Sequence, residues 1–268
     1  RCLTQALLHR DFGILMTLPE DRLCPPVCTK IFAPRLNYIL WLQDVLDATD
    51  LPSSADKSVQ GIDIGTGASA IYPLLGCSTN TTWNFYATEI DETSLTCARQ
   101  NVVENHLEAR ITVLQADFDS TILPCEVFEQ SSQLDFTMCN PPFYRNREEI
   151  SISAEAKQLG PNAVCTGADT EMITPGGEVS FVRQMVLESL RWSTRCRHFG
   201  LGRWFTSMLG KMSSLTEIVE LLKVNKIGNY GITEFVQGRT RRWAIAWSFG
   251  RTHLPDVSER TANRRVLI

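Results

Sequence analysis

The chain has 268 residues, 43% of them hydrophobic and 21% charged, with a formal net charge of −4. That composition is globular rather than disordered, and the length fits one large domain or two small ones. No run of 18 apolar residues is present, which excludes a membrane-spanning helix, and no basic-then-apolar leader opens the sequence, which argues against secretion.

Residues 2–13 (CLTQALLHRDFG) predict a short helix, followed by the segment ILMTLPE. Residues 21–34 hold three Pro and read as irregular. From Asn37 to Leu46 apolar residues recur at helical spacing, and residues 50–58 form a polar loop. GIDIGTG is a buried strand running into a Gly-rich turn. Ser69 to Leu75 begins a helix that Pro73 should shorten or kink. WNFYATEI is the second strand, and Asp91 is a good N-cap for the helix ETSLTCARQNVVENH. RITVLQAD and QLDFTMCN are the third and fourth strands, the latter ending in the turn NPPF. Residues 145–176 are polar, contain Gly and Pro, and read as a long, mobile loop. EVSFVRQMVLESLRW is a helix, HFGLGRWFTSML a strand, SLTEIVELLKV a helix, and ITEFVQ and RRWAIAWSF are strands; the stretch 251–268 looks ragged. This order predicts an α/β chain with a mainly parallel seven-stranded sheet and helices on both faces. The expected organisation is an N-terminal helical, cofactor-covering segment over 1–58, a core over 59–250 and a tail over 251–268. The first residue is Arg rather than Met, which suggests a piece of a longer chain.

Charge is unevenly placed. Residues 191–268 carry 14 Lys/Arg against 5 Asp/Glu, and residues 1–190 carry 12 against 25. A basic final third on an acidic body suits an anionic partner, and nucleic acid is the obvious one, although solvated surface charge gives the same count. The nine Cys include no CxxC pair, and Cys24 and Cys28 lack a second metal-ligand pair at zinc-finger spacing. Reduced thiols in a nuclear or cytoplasmic protein are the expectation. The four His are scattered, so no metal site is expected, and Ser69 has no GxSxG setting for a hydrolase.

Gly61 to Ala70 (GIDIGTGASA) places G-x-G-x-x-A between a strand and a helix. Glycines there let backbone approach a ligand, and the helix N-terminus favours polar or anionic groups. Glu89 follows at the end of the next strand, where an acid accepts hydrogen bonds from ribose hydroxyls. These features indicate a nucleoside-type cofactor; they do not separate a nicotinamide cofactor from S-adenosyl-L-methionine. Asn140-Pro141-Pro142-Phe143 does. An adenine or glutamine amide-type nitrogen is planar and poorly nucleophilic. The Asn side-chain oxygen and the Pro carbonyl can accept hydrogen bonds from its two N–H groups, and Phe143 can stack on a flipped base.

GIDIGTGAS, ATEID and CNPPF in that order resemble the class I methyltransferases. PRLNYILWLQD, GIDIGTGASAIYPLLG, ATEID, CNPPFY, GGEVSFV, WFTSMLGK and TEFVQGRTRRWAIAWSF together resemble the U6 small nuclear RNA adenine-N6 methyltransferase family over about residues 1–250. The resemblance implies a Rossmann-like fold and methyl transfer from S-adenosyl-L-methionine to adenosine N6 in structured RNA, a U6-like hairpin; a monomer is the separate expectation. It implies cofactor contacts at Arg35, Gly65, Thr66, Gly67, Glu89, Thr121 and Asn140. It implies RNA contacts at Arg239 and Arg242. Further candidate RNA-binding cations are Arg145, Arg147, Arg203 and Lys211. Residues 28–33 read as an insertion before PRLNYI, and the loop after NPPF is altered relative to the family. The family's N-terminal RNA-binding segment and the vertebrate members' C-terminal domain have no counterpart here, which implies weaker RNA binding. A protein glutamine methyltransferase using the same NPPF chemistry, and a non-catalytic RNA-binding module, are the alternatives.

Overall fold

A computed structural model describes residues 2–19, 22, 32–49, 58–117, 121–131, 134–157, 168–194, 203–237 and 240–254. Seven strands form one sheet: β1 (Val59–Ile64), β2 (Trp83–Glu89), β3 (Ile111–Gln115), β4 (Phe136–Cys139), β5 (Trp204–Leu209), β6 (Asn229–Gln237) and β7 (Thr240–Ser248). Their order is β3-β2-β1-β4-β5-β7-β6. β1 to β5 run parallel, and β7 is antiparallel to both its neighbours. This is the Rossmann-like α/β architecture expected, in which the order reverses beside β1 and opens a crevice at the strands' carboxyl ends.

Every residue of β4 and of β5 is buried, as strands covered on both faces must be. The alternation of side chains divides the core in two. Trp204 and Met208 of β5 join Trp83, Phe85 and Phe136 in one cluster, where α2 (Phe32–Asp47), α3 (Ile71–Thr79) and α4 (Glu92–Glu104) pack. Phe205 and Leu209 join Ile62 and Trp247 in the other, under α5 (Cys125–Gln130), α8 (Gly177–Ser189) and α9 (Met212–Val224). The first helix, α1 (Cys2–Phe12), adds Leu8 to the former cluster. Gly61 of β1 makes room for Phe136 of β4: a Cβ there would stand 2.3 Å from the ring.

β4 and β5 pair only through Phe136 with Trp204 and Thr137 with Phe205. Beyond that the strands part, and Tyr38 of α2 fills the gap. Its hydroxyl lies 2.7 Å from Thr206 Oγ1 and accepts the Cys139 N–H at 3.3 Å.

Several elements differ from expectation. α2 starts at Phe32 rather than Asn37, because Pro34 falls in its first turn, where a missing N–H costs nothing. Residues 32–33 of the inserted stretch therefore begin this helix, and 28–31 lie outside the described residues. Pro73 is tolerated for the same reason, and α3 runs unshortened to Thr79. α5 has no counterpart among the expected elements, since so short a helix cannot display a period. The expected loop over 145–176 holds two helices, α6 (Arg147–Lys157) and α7 (Asp169–Met172). α6 is polar, with Glu148 and Glu149 in its first turn, so it has no apolar repeat to read but suits the helix dipole. The ragged tail from residue 255 lies outside the described residues.

The Tyr38 hydroxyl gives a direct test. Tyr38→Phe leaves the buried Cys139 N–H without this acceptor and should lower stability by about 1–3 kcal/mol in urea unfolding. An unchanged midpoint would mean the hydroxyl does not tie β4 to β5.

Candidate functional site

A cavity of about 650 Å³ opens at the carboxyl ends of β1, β2 and β4. That is an ordinary size for a small-ligand site. Arg35, Gly65, Thr66, Gly67, Glu89, Thr121 and Asn140 all line it. The structure thus brings together the seven residues expected to face a cofactor, from five separate parts of the chain.

The turn after β1 depends on glycine. Gly65 and Gly67 have φ of 69° and 66°, where a side chain would be strained. A Cβ on Gly65 would meet nothing within 4 Å, so its Cα hydrogen faces open space. Glu89 ties this turn to β2: Oε2 accepts the Gly67 N–H at 2.8 Å, and Oε1 accepts those of Ile90 and Asp91 at 2.9 Å. Burial raises the Glu89 carboxyl above the usual range against these three donors, and nearby Glu171 adds to the rise. Asn101 of α4 supports the turn from below, donating to the Ala68 carbonyl at 2.9 Å.

Arg35 Nε, buried at the cavity wall, lacks a hydrogen-bond partner among the described residues, whereas the Thr66 hydroxyl and the Asp63 carboxyl face one another beside it. An unmatched guanidinium in the lining fits a ligand that carries a carboxylate. S-adenosyl-L-methionine, with its amino-acid and ribose groups, meets that description.

The turn NPPF leaves the sheet at the end of β4. Asn140 is exposed and lines the cavity, Pro141 is buried, and Pro142 and Phe143 are half-buried. The next residue, Tyr144, pairs with the segment after α7: its N–H donates to the Met172 carbonyl at 2.9 Å, and its carbonyl accepts the Thr174 N–H at 3.0 Å. α7 carries Glu171 to within reach of Gly67, where a Cβ would lie 3.7 Å from Glu171 Oε1. NPPF and the far wall of the cavity are therefore one hydrogen-bonded unit.

The expected RNA-binding cations fall into distinct settings. Lys211 Nζ lies 4.9 Å and the Arg242 guanidinium 5.6 Å from the Phe143 ring centroid. Lys211 also pairs with Glu149 at 2.5 Å, and that hydrogen bond holds the Glu149 carboxyl below its usual range. Arg145 is exposed; Arg147 is exposed and paired with Asp169. Arg203 departs from expectation: it is 4% exposed, with its guanidinium 5.9 Å from the Phe128 centroid, so it packs against the core rather than facing a polyanion. Arg239 lies outside the described residues. Sequence reasoning missed Asp169, Thr170 and Glu171 as cavity-lining residues. Their stretch reads as loop, and only its position before the GGEVSFV motif could have flagged it.

A family profile described as RNA methyltransferase matches residues 1–251. A U6 small nuclear RNA (adenine-(43)-N(6))-methyltransferase of Schizosaccharomyces pombe is 40% identical over 93% of this chain and 60% of its own length. The chain spans 42% of the length of a Gallus gallus relative, so it corresponds to about half of the curated relatives it matches. The crystal structure of the human METTL16 catalytic domain with the MAT2A 3′UTR hairpin 6 aligns with a TM-score of 0.77 at 38% identity, covering 94% of this chain and 82% of that one. The human METTL16 N-terminal domain in complex with SAH aligns at 0.70 and 37%, covering 93% and 81%.

Asp63 supplies a test of the site's electrostatics. It is 1% exposed, and burial pushes its carboxyl up to about 7, with Glu89 acting in the same direction. A raised carboxyl binds its proton more tightly folded than unfolded, so folding stability falls as pH rises from about 4 towards 7. In cofactor-free protein, Asp63→Asn should gain stability relative to the native chain across that interval and hold the gain above it. Melting temperatures of both proteins from pH 4 to 8 check this; a pH-independent offset would contradict it.

Proposed function

The chain belongs to the RNA methyltransferase family, and from that premise we propose that it transfers a methyl group from S-adenosyl-L-methionine to adenosine N6 in structured RNA, with a U6 small nuclear RNA hairpin as the substrate class. A small nuclear RNA substrate would place the work in the nucleus. One observation carries the reading: Asn140, exposed at the end of β4, shares a cavity with the glycine turn and Glu89.

The bound cofactor supplies an electrophilic methyl group on a sulfonium sulfur. Arg35 would meet its carboxylate, and Glu89, whose Oε2 accepts one N–H and keeps a second lone pair, would accept from a ribose hydroxyl. The Asn140 side-chain oxygen and the Pro141 carbonyl accept hydrogen bonds from the two N–H groups of the target amine. That pairing points its weak lone pair at the methyl group, and positioning carries most of the rate. No base is required before transfer, because the methylated nitrogen loses its proton readily to water. Phe143 stacks on the adenine once the base has left its helix. Lys211, Arg145, Arg147 and Arg242 supply charge for phosphate beside it, and Arg239 belongs to the same QGRTRRW stretch. The placing of Lys211, Arg242 and Arg145 around Phe143 supports RNA over a glutamine-bearing protein.

The experiment is transfer of labelled methyl to a U6-type hairpin bearing an ACAGA-type adenosine, against the same hairpin lacking it and against a glutamine peptide. Label should appear on the first alone; label on the peptide would transfer the reading to protein. Asn140→Ala should reduce transfer by at least about 100-fold, a loss larger than its change in cofactor affinity by calorimetry; retained transfer would remove Asn140 from the chemistry. Arg242→Ala should lessen the slope of log affinity against log salt by about 1, measured by fluorescence anisotropy with the hairpin.

A further inference from the structure

Two motifs of the chain, GGEVSFV and WFTSMLGK, enter the function above only through Lys211. In the folded protein they meet on Phe143. Glu178, from the first motif, is 3% exposed. Its Oε2 accepts the Gly210 N–H at 2.7 Å and its Oε1 the Lys211 N–H at 3.0 Å, both from the second motif. These donors form the turn between β5 and α9.

That turn is the surface on which the Phe143 ring rests. A Cβ on Gly210 would stand 2.0 Å from Phe143 Cε2 and 2.6 Å from Cδ2, so the ring lies against bare backbone. Lys211, next in the chain, holds its ammonium over the same ring. Gly177 abuts the segment that carries Phe143: a Cβ there would be 2.9 Å from Arg145 Cγ and 3.5 Å from the Phe143 carbonyl oxygen. Gly177 immediately precedes Glu178. One buried carboxylate thus joins the two surfaces that Phe143 touches.

We propose that Glu178 is a positioning residue that sets the orientation of Phe143 for stacking on the target adenine, acting through the backbone of Gly210 and Lys211; the adenine is that of the reaction proposed above. Charge-assisted bonds from a carboxylate to two adjacent N–H groups fix the turn in both distance and angle. Glutamine offers one acceptor oxygen and sets its own N–H against the second donor, so the turn must shift and the ring with it. Aspartate keeps the charge but is one methylene too short to hold both donors in place.

The test uses the full chain with 4-fluorophenylalanine at position 143, read by fluorine NMR without substrate, and steady-state transfer to the hairpin. Glu178→Gln should shift or broaden the fluorine resonance. It should lower kcat/KM for RNA by about 10- to 100-fold, as small misplacements at a reacting centre do, with cofactor affinity within about twofold. In the double variant with Phe143→Ala, the loss should not exceed that of Phe143→Ala alone by more than about twofold, since residues acting as one unit are not additive. Losses that multiply, or an unmoved resonance, would overturn the proposal. If Glu178→Gln fails to fold, Glu178→Asp carries the same two measurements with the same meaning. If the native chain methylates no RNA, the proposed function fails, and the fluorine resonance still decides whether Glu178 orients Phe143.

Discussion

The parting of β4 from β5 is the constraint on which the site depends. A pairing that ran on past Cys139 would draw Asn140 into the sheet. Here the ladder stops after two rungs, and the Tyr38 hydroxyl, lodged between Thr206 and Cys139, holds the strands at the separation where it stops. Asn140 is the next residue and is exposed as a result. The same helix brings Arg35, one turn earlier, to the cavity. A single helix seated against the sheet therefore sets the place of Arg35 and of Asn140 in the cavity wall.

The other half of the cavity rests on a carboxylate. Glu89 accepts hydrogen bonds from three backbone N–H groups and still faces the cavity. This preorganises the glycine turn before any ligand arrives, at the cost of desolvating the acid. Asn101 repeats the principle from behind, and its neighbour one turn on, Asn105, clamps Leu15 of the N-terminal segment by a reciprocal pair at 2.7 and 2.8 Å. The N-terminal segment is thereby fastened to the helix that supports the cofactor turn, which argues that the two behave as one unit.

Phe143 leaves the cavity lining, which keeps Asn140 and Pro142, and sits instead among Gly177, Glu178 and Lys211. Its ring is touched by Gly210, Lys211 and Arg242, from the β5 turn and from β7, while its backbone runs against Gly177 of α8. Cations over an aromatic face gain from its quadrupole and can exchange that partner for phosphate at little cost when exposed.

Much of this was legible in the residues. Apolar runs of strand length, alternating with helical repeats, implied the sheet and its two covered faces. The positive-φ glycines of GTG, the acid at the end of β2 and the turn NPPF announced themselves because local backbone geometry demands particular residue types. Resemblance over seven motifs reached further, to the RNA methyltransferase family. What lay beyond the sequence was everything set by contact between distant segments. α6 and α7 were invisible because polar helices have no apolar period. Arg203 reads as a surface cation in the sequence because its burial against Phe128 is decided by β5 and α5 coming together. Glu178 carries no local signal at all; its role exists only because α8 and the β5 turn, well separated along the chain, close on the same ring. Local chemistry is written in the order of residues, whereas the partner of a buried charge is chosen only when the chain has folded.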